Sequence, residues 1–223
     1  MVRKALFIIA KIFMRMTTRV QLLGGLENVP DSGGALLAIN HLGRLDAVIV
    51  FIHIKRADFT GWVADKYREI PLLSPIVDWL DGIWINREGV DRKALRIAKN
   101  RLREGWLLGI APEGTRSPTG GLIEGKEGIA YIAAKTGVDI IPVAITGTEK
   151  VWVTWKRMRR PNLTVRFGKP FRIPTIAREH REQMLQRGID EIMCRLGALL
   201  PEKYHGVYRQ HPRLLELLQS DAQ

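Results

Sequence analysis

Short apolar runs that end in turn residues alternate along this chain with segments of helical periodicity. The apolar runs predict strands at 35–39, 59–64, 82–87, 106–111, 140–145 and 163–167. The helical spacing predicts helices at 92–104, 128–136 and 178–200, with a shorter helical or irregular piece at 71–80. Strands that alternate with helices predict a single α/β domain with a largely parallel central sheet flanked by helices. The segment after Pro201 gives no clear pattern.

Pro142 lies inside the predicted strand 140–145. A proline has no N–H to donate to the ladder of a sheet, so prolines within sheets are confined to edge strands, strand starts and bulges. The sequence therefore predicts that this strand forms an edge of the sheet or contains a bulge.

Residues 1–25 form a basic amphipathic segment that precedes the candidate folded domain at 26–223. Lys4, Lys11, Arg15 and Arg19 recur on one helical face, the opposite face is apolar, and the segment has no acidic residue. A spanning helix would bury Lys11 and Arg15 at a cost of about 2.5–3.5 kcal/mol each, and a signal peptide would need an uninterrupted apolar core. The pattern favours a helix lying in a membrane interface. Packing of this helix on its own domain is the alternative.

The composition is that of a globular protein with a polyanionic partner. Apolar residues make up 46% of the 223 positions, and the net charge is +12. A charge of this size favours binding either to nucleic acid or to an anionic membrane surface with acidic substrates.

The single Cys194 excludes an internal disulfide and a cysteine metal cluster, and its helical setting indicates a core position. The histidines are scattered, so the sequence suggests no metal site.

The predicted strand 35–39 leads into Asn40 and His41, and Asp46 follows five residues after the histidine. Side chains at positions i and i+5 of a regular helix do not face each other. His41 and Asp46 can therefore meet only if His41 lies in a turn and Asp46 in the first helical turn after it. In that geometry the carboxylate would fix the imidazole tautomer and leave the other ring nitrogen free as a general base. Separate capping or surface roles are the alternative.

Four sequence blocks resemble those of the 1-acylglycerol-3-phosphate acyltransferases and related lysophospholipid acyltransferases. Residues 40–46 are similar to the family's His-x4-Asp block, and residues 82–87 to the block whose key member is an arginine. Residues 112–117 resemble the Glu-Gly-Thr-Arg block, which Lys126 and Gly128 follow, and residues 141–144 resemble the last block. Ala111 replaces a usual phenylalanine and Asn86 a common aspartate, so the resemblance leaves the substrate less defined than the chemistry.

The resemblance implies an acyltransferase domain at 26–223 that transfers a fatty acyl group to a lysophospholipid hydroxyl. The acceptor would be 1-acylglycerol-3-phosphate, the product phosphatidic acid, and the donor acyl-CoA or acyl carrier protein, with no cofactor. His41 would act as general base without an acyl-enzyme, and Asp46 would orient it. The implied acceptor and phosphate site consists of Arg87, Glu113, Gly114, Thr115, Arg116 and Lys126. Within it, Glu113 is expected to position Arg116 or to accept a substrate hydroxyl, and amides near Gly114 to face the oxyanion.

Two alternatives remain at this level. One is a different lysolipid acceptor, such as a lyso-amino-lipid. The other is a non-catalytic module for anionic lipid or nucleic acid, using residues 150–174, which carry eight basic residues interleaved with aromatics and no acidic residue. No nucleic-acid recognition motif accompanies this stretch, so membrane contact is the favoured interpretation. The expected location is the cytoplasmic face of a membrane, as a peripheral or monotopic protein.

Overall fold

The computed structural model describes residues 2–175 and 179–220. The strands are β1 (Arg19–Leu22), β2 (Ala35–Ile39), β3 (Phe59–Ala64), β4 (Ile83–Ile85), β5 (Leu107–Ile110), β6 (Asp139–Thr146) and β7 (Asn162–Phe167). The helices are α1 (Val2–Thr17), α2 (Asp46–Phe51), α3 (Leu73–Trp79), α4 (Arg92–Arg103), α5 (Gly128–Thr136), α6 (Val151–Lys156), α7 (Arg181–Leu199) and α8 (Pro212–Ser220). Each predicted strand and helix corresponds to one of these elements. Arg178, the first residue of the predicted helix 178–200, lies outside the described residues.

All seven strands form one sheet, in the order β1-β7-β6-β2-β5-β3-β4. Every neighbouring pair is parallel except β6 and β7, which are antiparallel. The alternating residues of β2 divide the core between the two faces of the sheet, since Leu36 and Ala38 pack with α4, α5 and α7. Leu37 and Ile39 pack with α1, α2 and α6 on the other face. The predicted α/β fold with a largely parallel sheet is confirmed.

Parallel strands place their carboxyl ends at one edge of the sheet, and the site residues follow these ends. His41 comes after β2, Glu113 and Arg116 after β5, Tyr67 after β3 and Arg87 after β4. Because β2, β5, β3 and β4 are consecutive in the sheet, these residues line one rim in that order. Ligands of open α/β sheets bind at such rims.

Pro142 lies in β6, an interior strand between β7 and β2, so the prediction of an edge strand is wrong. A one-residue irregularity does occur beside Pro142, but its extra residue lies in the segment after β7 and not in β6. Val143 pairs with Phe167, whereas Ile140 pairs with Phe171, a shift of one residue in the antiparallel register. This irregularity faces the position where proline has no N–H to donate, and the Pro142 carbonyl still accepts a hydrogen bond from Gly168 N at 2.8 Å.

The amphipathic segment is helical only as far as Thr17, where the Thr17 and Thr18 hydroxyls donate to carbonyls four residues earlier. Arg19, which the sequence places on the basic helical face, lies instead in β1 at the edge of the sheet. Part of α1 packs on the domain: Met14 is buried, and the Phe7 ring meets Phe59 edge-on at 5.1 Å. The opposite apolar side chains remain more than half exposed; they are Ile8, Ile9, Ile12, Phe13 and Met16.

None of the helices within the described residues is long and apolar enough to cross a membrane.

Cys194 lies in α7 with its side chain fully buried, which confirms the core position predicted for it. Burial raises the pKa of this thiol to about 12, because the charged thiolate would lose its hydration. The thiol therefore remains protonated and unreactive at neutral pH.

Candidate active site

The turn that carries His41 is fixed at its start by Asn40, whose side chain is fully buried. The Asn40 amide donates to Ile145 O at 2.9 Å and accepts from Ile145 N at 2.7 Å. These two bonds continue the β2–β6 ladder by one residue after the backbone has left it. The Asn40 side chain thereby satisfies the backbone N–H and C=O of Ile145 in β6, and this contact sets the chain direction at His41.

His41 and Asp46 are in contact, with His41 Nδ1 at 2.7 Å from Asp46 Oδ2. The same oxygen accepts the backbone N–H groups of Leu42 and Gly43, each at 2.8 Å. Because Oδ2 accepts both of these N–H groups, it acts as an acceptor toward the ring as well, so Nδ1 carries the proton and Nε2 is the nitrogen left without this contact. The structure thus brings together the histidine in the turn and the aspartate at the start of α2, as their spacing predicted.

The turn between His41 and Asp46 tolerates only glycine at position 43. A Cβ there would lie 2.7 Å from the carbonyl oxygen and 2.8 Å from the Cβ of Thr148, which follows β6. Both distances are shorter than real Cβ contacts. The Asp46 side chain is 2% exposed and the His41 side chain 22% exposed, so the carboxyl group is enclosed while the imidazole is partly exposed to solvent.

Glu113 is buried beneath the His41 turn. Its Oε1 accepts His41 N at 2.7 Å, and its Oε2 accepts Ile123 N at 3.2 Å. The side chain is 1% exposed, and burial raises its pKa to about 7, with the charge of Asp46 adding to the effect and the two amides opposing it. Glu113 therefore joins the His41 turn to the loop 114–126, whereas the sequence led us to expect a contact with Arg116 or substrate.

Two cations of the site, Arg116 and Arg87, follow β5 and β4, the strands on either side of β3. Arg116 Nη2 lies 3.4 Å from the hydroxyl of Tyr67. The pKa of Arg87 is lowered, first by partial desolvation and then by the positive charge of Arg116, while Tyr67 and Asp65 act in the opposite direction. The structure therefore groups Arg87 with Arg116, and adds Tyr67, which carried no signal in the sequence.

The loop after Arg116 returns to the strand end. Lys126 N donates to Pro112 O at 2.8 Å, and the Lys126 side-chain stem passes 3.3 Å from where a Cβ of Gly114 would lie. Gly114 has a φ of 67°, in the left-handed region that glycine adopts without strain. Its own N–H donates to Ala111 O, so an oxyanion would need other donors. Thr115 is exposed on the loop.

No group of His, Cys, Asp or Glu within the described ranges could hold a metal ion. The groups at the rim consist instead of an acid-held imidazole, a buried carboxyl and two guanidinium groups that interact electrostatically. Such a set can remove a proton and bind an anion side by side.

Comparison with known proteins identifies the family. The sequence pattern of the Acyltransferase family matches residues 22–146. The chain belongs to the Acyltransferase family. The rim residues from His41 to Lys126 all lie within the range matched to the family, whereas α7, α8 and the segment between them lie outside it.

Curated relatives with acyltransferase names resemble more than half of the chain. The 1-acyl-sn-glycerol-3-phosphate acyltransferase of Borreliella burgdorferi is 30% identical, covering 58% of this chain and 52% of the relative. The enzyme of the same description from Cocos nucifera is 36% identical, covering 62% of this chain and 46% of the relative. The matched region thus spans about half the length of these relatives.

A solved structure of an Acyltransferase family protein shares the fold. The crystal structure of the 1-acyl-sn-glycerophosphate acyltransferase PlsC from Thermotoga maritima superposes with a TM-score of 0.64 and 25% sequence identity. The similarity covers 86% of this chain and 79% of the PlsC chain, and so extends beyond the residues of the family match.

Proposed function

We propose that this protein transfers a fatty acyl group from an acyl thioester to the free hydroxyl of 1-acylglycerol-3-phosphate, forming phosphatidic acid. The observation that carries the proposal is the His41–Asp46 pair, whose Nδ1–Oδ2 contact of 2.7 Å leaves Nε2 free at a rim that also holds Arg87 and Arg116. The names of the relatives from Borreliella burgdorferi and Cocos nucifera support the same acceptor.

In the proposed reaction the acceptor hydroxyl attacks the thioester carbonyl directly. Nε2 of His41 takes the hydroxyl proton as the new C–O bond forms, and Asp46 stabilises the resulting imidazolium. The tetrahedral intermediate then collapses, the C–S bond breaks, and the proton passes from His41 to the departing thiolate. General-base help of this kind contributes about 10²–10⁴-fold in rate. No acyl-enzyme is required, because the nucleophile belongs to the substrate.

Arg87, Arg116 and Lys126 are the proposed phosphate ligands. Two guanidinium groups that repel each other at a partly desolvated rim are unfavourable by themselves, as the lowered pKa of Arg87 indicates. A phosphate dianion would relieve the repulsion and replace the lost hydration with charge-assisted hydrogen bonds. The charge of the site therefore supports an acceptor with a phosphate over an uncharged or amino-lipid acceptor.

We further propose that α1 and α6 dock on an anionic membrane, as a peripheral contact at its cytoplasmic face. The two helices form one surface, since Trp155 Nε1 donates to Thr17 O at 2.9 Å and the Phe13 and Trp155 rings meet edge-on. Trp152 and Val153 are half-exposed beside the apolar face of α1. Basic side chains of both helices would face lipid headgroups. The lysophospholipid and the acyl-CoA or acyl carrier protein donor would meet there.

The catalytic proposal is tested with purified protein, radiolabelled acyl-CoA and a panel of lysophospholipids with and without a terminal phosphate monoester. We expect His41→Ala to lower kcat by at least about 10²-fold with an unchanged Tm. His180→Ala, an exposed histidine at the start of α7, is the control and should retain full turnover. Turnover in His41→Ala equal to that of the control would refute the proposal.

The membrane proposal is tested by co-sedimentation with vesicles that contain anionic lipid. Reversing Lys11 and Arg15 to glutamate should weaken binding, because about 1 kcal/mol of attraction is lost for each cation near the surface. Reversing Arg96 and Arg103, two exposed cations of α4, changes the net charge equally on the other face of the sheet. Equal loss in both double variants would show a general charge effect and not docking through α1.

A further inference from the structure

The short segment 202–208, between α7 and α8, lies against the loop that follows the Glu-Gly-Thr-Arg block. Leu122 N donates to Tyr204 O at 2.8 Å, and Val207 N donates to Leu122 O at 3.0 Å. The contact is close enough to require glycine at position 206. A Cβ there would lie 1.9 Å from Leu122 O, and Gly206 has a φ of 53°.

Tyr208 adds a side-chain contact to the same loop. Its hydroxyl accepts the backbone N–H of Gly125 at 3.2 Å, one residue before Lys126. The ring is 5% exposed, and burial raises the pKa of the hydroxyl to about 12. The neutral phenol is therefore available as an acceptor throughout the physiological pH range.

Two further amides of this loop, those of Ile123 and Lys126, are held from the opposite side. Ile123 N donates to Glu113 Oε2 at 3.2 Å, and Lys126 N donates to Pro112 O at 2.8 Å. The backbone of residues 122–126 is thus hydrogen-bonded on one side to residues that follow β5 and on the other side to the segment 202–208. Removing one side would leave the loop attached along a single edge.

The segment also reaches the other wall of the His41 turn. The Tyr204 hydroxyl donates to Glu149 Oε1 at 2.9 Å. Glu149 follows Thr148, the residue whose backbone and Cβ enclose Gly43. The segment 202–208 therefore touches both the loop that presents Lys126 and the residues that enclose the His41 turn.

We infer that the segment 204–208 is a brace that sets the position of Lys126, with Tyr208 as a positioning residue for the phosphate of the acceptor. The inference rests on the proposed function for its effect on catalysis. The segment lies beyond the family match, which ends at residue 146. Its residues therefore have a role that the matched blocks do not contain. Tyr208 acts on the acceptor side of the site, because its hydroxyl bonds the loop that carries Lys126 and, among the contacts described, no residue of the His41–Asp46 turn.

Tyr208→Phe tests the inference, because it removes the acceptor of Gly125 N and keeps the ring. We expect hydrogen exchange of residues 122–126 to accelerate roughly 5- to 100-fold, the range expected when a buried donor loses its partner. The KM for 1-acylglycerol-3-phosphate should rise by a similar factor, while the KM for acyl-CoA and the kcat remain within about two-fold. Arg209→Ala is the control, since Arg209 is exposed and pairs only with Glu202 among the contacts described.

The outcomes separate the brace from the proposed function. Accelerated exchange in 122–126 without a change in acceptor KM would overturn the positioning role, and unchanged exchange would overturn the brace itself. A wild-type protein without acyl transfer would refute the proposed function, yet the exchange measurement would still test the brace. If Tyr208→Phe does not fold, wild-type exchange decides: the Val207 and Gly125 amides must open together, and protection factors differing more than about ten-fold would contradict the brace.

Discussion

Glu113 allows a quantitative test of the site that does not depend on activity. The proposed change is Glu113→Gln, which preserves the shape of the side chain and removes its titration. The amide has one acceptor oxygen, so one of the two backbone donors, His41 N or Ile123 N, loses its partner. That loss is independent of pH, whereas the contribution of the wild-type carboxyl is not.

The magnitude follows from the pKa. Burial, with the charge of Asp46, raises the pKa of Glu113 from 4.5 to about 7 in the folded state. Between these values the native protein holds a proton that the unfolded chain has released, so the free energy of unfolding falls as pH rises. Each pKa unit corresponds to about 1.4 kcal/mol, and the stabilising effect of the neutral carboxyl, fully present below pH 4.5, declines by about 3 kcal/mol once pH exceeds 7.

The assay is urea denaturation of the wild-type protein and Glu113→Gln at pH 4.5, 5.5, 6.5 and 7.5. The difference in free energy of unfolding between the two proteins is plotted against pH, which cancels the titration of the other groups. We expect the wild-type protein to lose about 3 kcal/mol relative to the variant across this range. The change should be spread almost evenly between about pH 5 and pH 7 and should level off above pH 7, where the carboxyl is ionised in both states.

Glu124→Gln is the matched control, because Glu124 is an exposed glutamate of the same loop. Its difference curve should be flat between pH 5.5 and 7.5. A flat curve for Glu113→Gln as well would show that Glu113 is ionised in the folded protein at acidic pH, and the argument from burial would be refuted. A curve that rises in the opposite direction would show that the two amides outweigh the desolvation.

Three further changes test the surrounding structure. Asp46→Asn keeps an oxygen for Leu42 N and Gly43 N but removes the charge that stabilises the imidazolium. We therefore expect kcat to fall about 10- to 10³-fold with little change in Tm. Loss of the fold instead would show that Asp46 has a structural role. Gly43→Ala places a methyl group 2.7 Å from Thr148 O and should cost about 1–3 kcal/mol in urea denaturation, and an unchanged stability would mean that Thr148 moves freely. The Arg56 guanidinium donates to three backbone carbonyls, which would lose their donor in Arg56→Ala. This change should lower the free energy of unfolding by about 3–5 kcal/mol. A loss below about 1 kcal/mol would show that these three hydrogen bonds contribute little to stability.

The sheet was predictable from sequence because its inner strands are buried on both faces and appear as continuous apolar runs. β1 was not, since its side chains are exposed or only partly buried and its partner β7 lies more than 140 residues away. The pairing of Arg19 with Asn162 depends on neither the hydropathy nor the local spacing of either segment. For α8 a signal existed, because Leu214, Leu217 and Leu218 recur at helical spacing.

The same distinction between local and distant contacts separates the parts of the site. His41 and Asp46 are five residues apart, so elementary helix geometry decides how they meet. Glu113 bonds a backbone amide 72 residues away, and backbone amides leave no trace in a sequence. Its role could therefore not be read from the residue type, which suggested contact with a cation or a hydroxyl. Tyr67 and Tyr208 escape prediction for the same reason.

The two carboxyl groups beneath the His41 turn are held in opposite ways, and this difference suits the proposed base. Asp46 offers one oxygen, Oδ2, to three donors at 2.7–2.8 Å, while its buried Oδ1 has no partner among the contacts described. Glu113 has one amide per oxygen, is 1% exposed, and is further discouraged from ionising by the charge of Asp46. When His41 takes a proton, the imidazolium and Asp46 form a neutral pair beside a Glu113 that is still largely protonated below pH 7. A second negative charge in this enclosed region would lack a partner, so Glu113 supports the turn through its hydrogen bonds to His41 N and Ile123 N while its raised pKa disfavours ionisation.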